Sequence, residues 1–386
     1  MRRLKKISII TCCMDDWGGS EELWAKSIPM INNSSITVYK SKINFLHAEF
    51  VKLKLAGATF IELEPKLSFS NKATRKLKQL YQRILTNNFT DNHALNKFRA
   101  SIKDNKPDLV IIAQGINFDG LIYAYECFRL NISYVIIAQK AVDFFWPYHT
   151  DRSYMKETLL RAKMNFFVSN HNKQLTEEQF GIRLPNSKIV FNPVKTNVTP
   201  LPFPTTSKGY QLACVARLFI IDKGQDILLR IMNKEKWRTR PITISFIGSG
   251  LDEEGLKEMA KLLNINNVKF IGYLDNVENV WAEHHALVLP SRSEGLPLSM
   301  IEAMSVGRPV IVSNAGGNAD IIEDGINGFI AEATERDFEL AMDRAWEKRE
   351  EWKKIGEQAS LHISKHIPSS PETVFANYLN DLIDEH

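Results

Sequence analysis

Residues 290–328 read PSRSEGLPLSMIEAMSVGRPVIVSNAGGNADIIEDGING. The apolar residues 287–289 before this stretch are typical of a buried parallel strand, and the apolar periodicity within residues 300–304 predicts a helix. Glu294 therefore lies in the loop between strand and helix, and Glu302 lies on the helix. A helix N-terminus has backbone N–H groups without internal partners and favours an anion. The residues predicted at this anion site are Gly295, Leu296, Pro297, Leu298 and Ser299.

The carboxylates of Glu294 and Glu302 flank the predicted anion site. An ionised carboxylate only accepts hydrogen bonds, so each one can bind two neighbouring hydroxyl groups. A molecule with a diol at each end of a diphosphate is a nucleotide sugar, which is therefore the predicted ligand. Exposed glutamates are common, so the pair alone would indicate two solvated surface charges. The flanking motifs favour the ligand site.

Two cations follow a strand farther upstream. Residues 211–216 are typical of a buried strand, Arg217 follows them directly, and Lys223 precedes an apolar-periodic helix. Ligands of open α/β sheets bind at the carboxyl ends of strands, where a diphosphate needs neutralising charge. The alternative is a pair of solvated surface cations.

In this order, the motifs resemble those of the family 4 retaining glycosyltransferases, also called glycosyl transferases group 1, which have the two-domain GT-B fold. The resemblance covers most of the C-terminal half. It implies that Glu294 holds the hydroxyls of the donor sugar and Glu302 those of the ribose. It also implies that Arg217 and Lys223 hold the diphosphate. Glu294, Arg217 and Lys223 are accordingly the predicted catalytic residues.

Two further segments of the C-terminal half add donor contacts to this resemblance. Residues 244–250 form a strand that ends in a turn at Gly248, although they lack the remaining features of a dinucleotide fingerprint. Residues 268–275 resemble the strand and loop beneath the nucleotide base. The resemblance implies that backbone groups around Tyr273 and Leu274 contact the base edge.

The N-terminal half matches the family less closely. Gly18 and Gly19 follow the first strand and resemble the Gly-Gly loop whose backbone approaches the donor phosphate. An ordinary strand-to-helix turn with Ser20 as the helix N-cap explains these residues equally well.

The chain departs from the family after the strand predicted at residues 134–138. Many members carry a histidine there, whereas this chain has Gln139 and Lys140, which are candidate sugar or acceptor contacts. His149 is a candidate substitute, although a lone histidine is more often structural or solvated. It follows an aromatic run at residues 144–148, which suits either sugar stacking in an acceptor pocket or a hydrophobic core.

Length and periodicity predict an α/β protein with two doubly wound, Rossmann-like domains that face each other across a cleft. The chain has 386 residues, and short apolar strands alternate with helical patterns on both sides of a proline-bearing linker. We predict an acceptor-binding domain at residues 1–198 and a nucleotide-sugar-binding domain at residues 199–386. The resemblance implies that a last helix, at about residues 372–385, crosses back to the first domain.

Charge is divided unevenly between these halves. Residues 1–198 contain 29 Lys and Arg against 17 Asp and Glu, whereas residues 199–386 contain 20 against 28. Within residues 72–106, nine basic residues accompany a narrow apolar helical face. This helix can lie on an anionic membrane, meet an acidic acceptor, or pack on the sheet with a solvated basic face. That apolar face consists of Leu77, Leu80, Tyr81, Ile84 and Leu85.

No apolar run reaches the length of a membrane span, and the four cysteines indicate neither a disulfide framework nor a zinc site. We therefore expect a cytoplasmic protein, with peripheral contact at the inner face of the membrane as an option. No recognised nucleic-acid-binding module accompanies the basic charge, so no nucleic acid is expected. The sequence contains no Asp-x-Asp pair, and we expect neither a metal nor a cofactor.

The predicted activity is retaining transfer of a hexosyl unit from a nucleoside-diphosphate sugar, most readily a UDP-sugar, to an acceptor hydroxyl. The acceptor is expected to be a glycan or glycolipid of cell-surface polysaccharide biosynthesis. A nucleotide-sugar epimerase of the same fold and a catalytically degenerate binding subunit are the alternatives. A glycogen-phosphorylase-like enzyme is less favoured, because no pyridoxal phosphate lysine is identified.

Overall fold

The computed structural model describes residues 3–64, 93–194, 199–274 and 277–384. Within these residues the strands form two separate parallel sheets, one in each half of the chain. No helix in the described ranges is both long and apolar enough to span a bilayer.

The first sheet has the strand order β3-β2-β1-β4-β5-β6-β7. Its strands are β1 Lys5–Thr11, β2 Ser34–Lys40, β3 Thr59–Glu62, β4 Leu109–Ala113, β5 Tyr134–Ala138, β6 Met164–Phe167 and β7 Ser187–Ile189. Its helices are α1 Gly19–Ser27, α2 Ala48–Leu55, α3 His93–Asn105, α4 Leu121–Arg129, α5 Arg152–Arg161 and α6 Asn170–Phe180.

The second sheet has the order β10-β9-β8-β11-β12-β13. Its strands are β8 Tyr210–Val215, β9 Ile242–Ile247, β10 Val268–Gly272, β11 Ala286–Leu289, β12 Val310–Ser313 and β13 Phe329–Ala331. The helices of this half are α7 Ile220–Lys223, α8 Gln225–Met232, α9 Glu235–Thr239, α10 Glu253–Leu262, α11 Val277–Glu283, α12 Leu298–Ser305, α13 Asn318–Ile321, α14 Glu335–Glu347, α15 Trp352–His366 and α16 Pro371–Asp384.

Both sheets are doubly wound, as the sequence predicts. Strands β4 and β5 read LVIIA and YVIIA and are buried along their whole length, because helices cover both faces of the sheet. In each sheet the strand order reverses beside the first strand. From β1 or β8 the next strands are added toward one edge of the sheet, and from β4 or β11 they are added toward the other edge. Ligand crevices of open α/β sheets form at the carboxyl ends of such strands.

The last helix, α16, packs on the first sheet although it follows the second one in sequence. The rings of Phe375 and Phe166 lie 4.9 Å apart in an edge-to-face contact, and α16 also contacts α1. The boundary predicted at residue 198 stays a prediction, because residues 195–198 lie outside the described part of the chain.

Two regions show the limits of the sequence patterns. Strand β2 was not predicted, because its sequence SSITVYK begins with two serines and lacks a continuous apolar run. The basic helix predicted at residues 72–106 is described only from residue 93 onward, where α3 buries Phe98 and Ile102 against the sheet. Its named apolar face at residues 77–85 lies outside the described residues.

Candidate active site

The C-terminal side of the cleft is built at the carboxyl ends of β8 and β11. The loop after β11 carries Glu294 into the N-terminus of α12, where Pro297 holds the N-cap position without a side-chain capping bond. The backbone N–H groups of the first turn are therefore open to a bound anion. Glu294 and Glu302 are only 5% and 4% exposed, so neither is a solvated surface charge.

A buried ion pair joins two of the predicted catalytic residues. The Nζ atom of Lys223 lies 2.6 Å from Oε1 of Glu294, and the hydroxyl of Ser291 donates to the same oxygen at 2.7 Å. The side chains of Lys223 and Glu294 are 16% and 6% exposed. Because the pair is shielded from water, both side chains are held in one orientation beside the N-terminus of α12.

On the C-terminal side of the cleft, Arg217 is more exposed than Lys223. Its Nη1 lies 2.9 Å from Oδ2 of Asp15 in the first half of the chain, and its Nη2 lies 3.6 Å from Asp222. Asp222 also binds Nζ of Lys140 at 3.0 Å. Burial lowers the pKa of Lys140, and the nearby charge of Lys223 adds to that shift, whereas Asp222 opposes it. The site thus combines cations from both halves of the chain.

The arrangement of Lys140, Arg217 and Lys223 suits a ligand with several negative charges. In the described structure each cation is paired with a carboxylate, and these contacts connect all three to one cleft. A diphosphate can replace the carboxylate partners by charge-assisted hydrogen bonds. Sequence reasoning missed Asp15 and Asp222, although both directly adjoin predicted elements: Asp15 follows β1, and Asp222 precedes Lys223.

The two halves of the chain touch where glycines remove a side chain. A Cβ on Gly295 would lie 1.9 Å from the carbonyl oxygen of Gln139, and a Cβ on Gly19 would lie 2.9 Å from Cδ1 of Leu298. Any larger residue at Gly295 would force the two walls of the cleft apart. The predicted Gly-Gly loop therefore does lie against the N-terminus of α12.

Gly18 occupies the N-cap position of α1 and forms no side-chain cap. The alternative with Ser20 as N-cap is wrong, because the Ser20 hydroxyl donates instead to Oε2 of Glu21 at 3.0 Å. Glu21 itself accepts from Thr11 and lies 3.6 Å from Lys40, both of which are buried. This buried network holds the start of α1 in place at the edge of the cleft.

Gln139 is a buried bridge within the first half of the chain. Its Nε2 lies 3.2 Å from Oδ1 of Asn192 and 3.3 Å from the carbonyl oxygen of Ser20, and Asn192 donates back at 2.7 Å. The structure thus brings Gln139 and Lys140 to the cleft. His149 lies exposed on the loop that follows β5.

The remaining predicted donor contacts lie at the ends of β9 and β10. Gly248 has φ +140°, and a Cβ there would lie 2.1 Å from the carbonyl oxygen of Ala216, so only glycine fits this turn. Tyr273 and Leu274 follow β10 and are exposed to solvent. No metal-holding group of three or more His, Cys, Asp or Glu side chains occurs in the described ranges, and metal independence stays a prediction.

Asp119, which sequence reasoning also missed, lies in the loop at the carboxyl end of β4. Burial raises its pKa from 3.8 to about 6, although the backbone N–H of Ile116 hydrogen-bonds it and opposes the shift. A carboxyl group with such a pKa at the carboxyl end of a sheet strand, where ligands of α/β sheets bind, is a candidate functional group. Its sequence signal was weak, since an aspartate before a glycine is also a common turn residue.

Comparison with known proteins relates the chain to glycosyltransferases. Residues 202–362 match the family model described as glycosyl transferases group 1. An uncharacterized glycosyltransferase of Haemophilus influenzae is 28% identical over 244 residues, which cover 61% of this chain and just under two thirds, 65%, of that protein. The lipopolysaccharide 1,6-galactosyltransferase of Salmonella typhimurium is 26% identical over 334 residues, or 84% of each chain.

The whole chain also resembles a solved structure. The crystal structure of Anabaena HepE in complex with UDP superimposes with a TM-score of 0.74 over 98% of this chain and 100% of that one, at 17% identity. At this identity the similarity shows a shared two-domain fold.

Proposed function

Since its C-terminal region belongs to the glycosyl transferases group 1 and the chain has the GT-B fold, we propose that it transfers a hexosyl unit from a nucleoside-diphosphate sugar to an acceptor hydroxyl. The observation that carries this proposal is the buried Lys223–Glu294 pair beside the open N-terminus of α12. Lys140 and Arg217 lie in the same cleft, where a diphosphate needs positive charge.

The names of similar proteins support the choice of donor and product class. One relative is a lipopolysaccharide 1,6-galactosyltransferase, and others are O-antigen biosynthesis glycosyltransferases. The HepE structure contains UDP. We therefore propose a UDP-sugar as donor and a cell-surface glycan or glycolipid as acceptor.

In the proposed donor complex, Glu302 binds the ribose hydroxyls and Glu294 binds the hydroxyls of the sugar. Arg217 and Lys223 bind the diphosphate, and Lys140 adds a third cation from the opposite wall. The backbone N–H groups of Leu298 and Ser299 complete the anion site, because α12 begins at Leu298. Contacts of Tyr273 and Leu274 with the base remain part of this proposal.

The proposed reaction proceeds with retention at the anomeric carbon. The bond from that carbon to the diphosphate oxygen breaks while the acceptor oxygen bonds to the same face of the sugar. The proton of the acceptor hydroxyl passes to the departing diphosphate. Arg217, Lys223 and the α12 N-terminus stabilise the negative charge that develops on the leaving group, so the protein acts mainly by preorganised electrostatics. Since three cations serve this purpose, the proposal includes no metal and no cofactor.

A degenerate, binding-only subunit is the second candidate. It is favoured by one observation: the Gln139 amide, at the place of the family's histidine, is hydrogen-bonded to Asn192 and Ser20. Peripheral contact of the basic N-terminal half with an anionic membrane also remains a prediction, because most of the predicted basic helix lies outside the described residues.

A thermal-shift screen of the purified protein against UDP, GDP, ADP and their sugar conjugates tests donor binding, since a ligand of the folded state raises the Tm. We expect a shift selective for one nucleotide, which is lost in Glu302→Gln. Glu254→Gln is the matched control, because this glutamate is exposed on α10. A screen without any shift, or equal shifts in both variants, would overturn the proposed site. Turnover of the donor so identified then separates a transferase from a binding subunit.

A further inference from the structure

The aromatic run that follows β5 is exposed and is not part of a core. Phe144, Trp146 and Tyr148 are 68%, 56% and 71% exposed. They alternate with Phe145, whose ring lies 5.6 Å from that of Phe118, and with the half-buried Pro147. Phe145 is less exposed than these three side chains, at 40%, because its ring also packs against Phe118. We call Phe144, Trp146 and Tyr148 the aromatic platform.

The backbone beneath the platform is fixed by buried hydrogen bonds. Nε2 of Gln179 donates to the carbonyl oxygens of Val142 at 2.9 Å and Phe145 at 3.1 Å. Gln179 is fully buried, and Nδ2 of Asn117 donates to its Oε1 at 3.1 Å. The platform is therefore presented on an ordered loop, which lowers the entropic cost of binding a ligand.

The Trp146 indole is also held in place, because its Nε1 donates to the carbonyl oxygen of Asp143 at 2.9 Å. An indole fixed at one edge still exposes its ring faces. Three large exposed rings on an ordered loop contribute little to folding, because apolar side chains stabilise a protein mainly when they are buried. Their arrangement is instead typical of a binding surface.

The platform continues directly from the proposed donor site. Its loop starts at Gln139, whose carbonyl oxygen abuts Gly295, and at Lys140, which binds Asp222. Farther along, Oδ1 of Asp143 lies 3.9 Å from Nε2 of His171, at the start of α6. The backbone N–H of Asn170 in the same turn donates to Asp320 of the C-terminal half at 2.8 Å. The loop thus borders the cleft.

Charge distinguishes between a carbohydrate and a membrane as the partner. The charged side chains nearest to the platform within residues 141–151 are the carboxylates of Asp143 and Asp151. Arg152, which follows them, donates to the carbonyl of Gln179 and lies 5.7 Å from the Phe180 ring centroid. An anionic membrane surface is recognised by clusters of Lys and Arg, which this loop lacks. Aromatic faces with carboxylate acceptors match the C–H faces and hydroxyls of a sugar.

We propose that the aromatic platform is an acceptor subsite and that the acceptor carries a sugar ring that stacks on Trp146 and its neighbours. The inference rests on the proposed function and extends it, because it makes the acceptor a growing glycan and not a bare lipid or polypeptide. Stacking of this kind recognises the shape of a sugar face, so one platform can hold the end of a chain while its free hydroxyl meets the donor.

Saturation-transfer NMR with lactose, melibiose, maltose, cellobiose and methyl glycosides as probes, in the presence of saturating UDP, tests the platform. We expect the ring C–H protons of at least one saccharide to receive saturation. We expect Trp146→Ala and Tyr148→Ala each to weaken that binding by about tenfold, as loss of one aromatic contact implies. Trp146→Phe keeps the ring face and should retain most of the affinity. Phe45→Ala, an exposed aromatic outside the platform, is the matched control.

The UDP-dependent thermal shift of every variant is measured in the same preparations. If UDP binds but no saccharide does, or if saccharide binding survives in Trp146→Ala, the platform proposal fails and the proposed function stands. If phosphatidylglycerol vesicles bind the wild type and not Trp146→Ala, without saccharide binding, the platform is a membrane contact. If neither UDP nor any other nucleotide binds, the failure belongs to the proposed function.

Discussion

The two walls of the cleft are built by different means. On the C-terminal wall, formed by residues around Arg217, Lys223, Glu294 and Glu302, both glutamates are buried and one of them forms a buried ion pair. Lys223 binds Glu294 at 2.6 Å. On the N-terminal wall, formed by the Gly18–Gly19 loop, residues 139–140 and the aromatic platform, backbone contacts and exposed rings accompany the ion pair of Lys140 with Asp222.

This difference corresponds to the two substrates that we propose. A diphosphate has a fixed charge and geometry, so its binding site needs cations at defined positions. A glycan presents apolar faces and many equivalent hydroxyls, so aromatic stacking can recognise it with looser geometry. The following predictions first compare buried with exposed charges in the C-terminal half, then one carboxyl group from each half, and finally address the ion pair that joins the two walls.

The largest effect is expected at Arg308, which lies between α12 and β12 in the C-terminal half. The side chain is fully buried and donates to the carbonyl oxygens of Trp281, His284, Leu201 and Pro202, and burial lowers its pKa to about 10. Arg308→Met leaves these carbonyls without a donor, so we expect the free energy of unfolding in urea to fall by about 3–5 kcal/mol.

Arg344→Met is the control for Arg308→Met. Arg344 is 43% exposed and pairs with the exposed Asp324, so its loss should lower the free energy of unfolding by about 1 kcal/mol or less. Equal losses of unfolding free energy in the two variants would mean that the buried arginine contributes no more than the exposed one. That result would contradict the contrast between buried and exposed charge.

The second prediction concerns catalysis on the C-terminal wall. Lys223→Ala removes a preorganised cation and leaves Glu294 buried without its partner, so we expect kcat with the identified donor to fall by about 10²–10³-fold. Lys257→Ala, on the exposed surface of α10, should leave kcat unchanged. A kcat for Lys223→Ala within a few-fold of the wild type would show that this lysine does not act on the leaving group.

The sequence predicted the positions of Glu294 and Glu302 on the C-terminal wall because both depend on local structure. Glu294, the α12 N-terminus and Glu302 lie within one strand-to-helix unit, whose spacing fixes their positions. The alternating architecture followed from the same periodicity. The pairing of Lys223 with Glu294 could not be predicted, because it joins residues on two separate strand-to-helix units.

The N-terminal wall was less predictable for physical reasons. Asp15 and Asp119 lie in loops. Only the tertiary arrangement decides which cation Asp15 contacts and how deeply Asp119 is buried. The aromatic run at 144–148 suited a core and a sugar site equally, because a loop has no periodicity that separates buried from exposed positions. Strand β2 was missed since tertiary packing overrode its polar start.

The third prediction compares one buried carboxyl group from each half of the chain. Asp119 has a pKa raised to about 6, so the folded state loses stability as pH rises from about 4 to about 6, where only the unfolded state is fully ionised. Asp119→Asn removes this penalty. We expect the variant to be more stable than the wild type by about 1–3 kcal/mol at pH 7.5 and equal to it near pH 4.

Asp226 should show the opposite pH dependence. Burial alone raises its pKa, but the hydrogen bonds and charge of Arg292 outweigh that effect and lower it. Its stabilisation is present above the unfolded pKa and is lost as pH falls, so Asp226→Asn should destabilise the protein at pH 7.5. Urea unfolding of both variants at several pH values checks the signs, and two effects of the same sign would contradict the contrast.

The smallest effect is expected where the two walls exchange charge directly. Arg217 and Asp15 are 56% and 50% exposed, so their ion pair at 2.9 Å should contribute at most about 1 kcal/mol, and Asp15→Asn should change the Tm by only about 2 °C or less. Because Asp15 competes with a diphosphate for Arg217, the variant should bind UDP about two- to fivefold more tightly at low salt, with the gain fading at high salt. Calorimetry measures the UDP affinity, with Asp16→Asn as the control. In the wild type the Asp16 carboxylate accepts a hydrogen bond from Asn44 instead of binding Arg217. Weaker UDP binding by Asp15→Asn would mean that Asp15 positions Arg217 for the donor, which would make the N-terminal wall part of the charge site and remove the division between the walls.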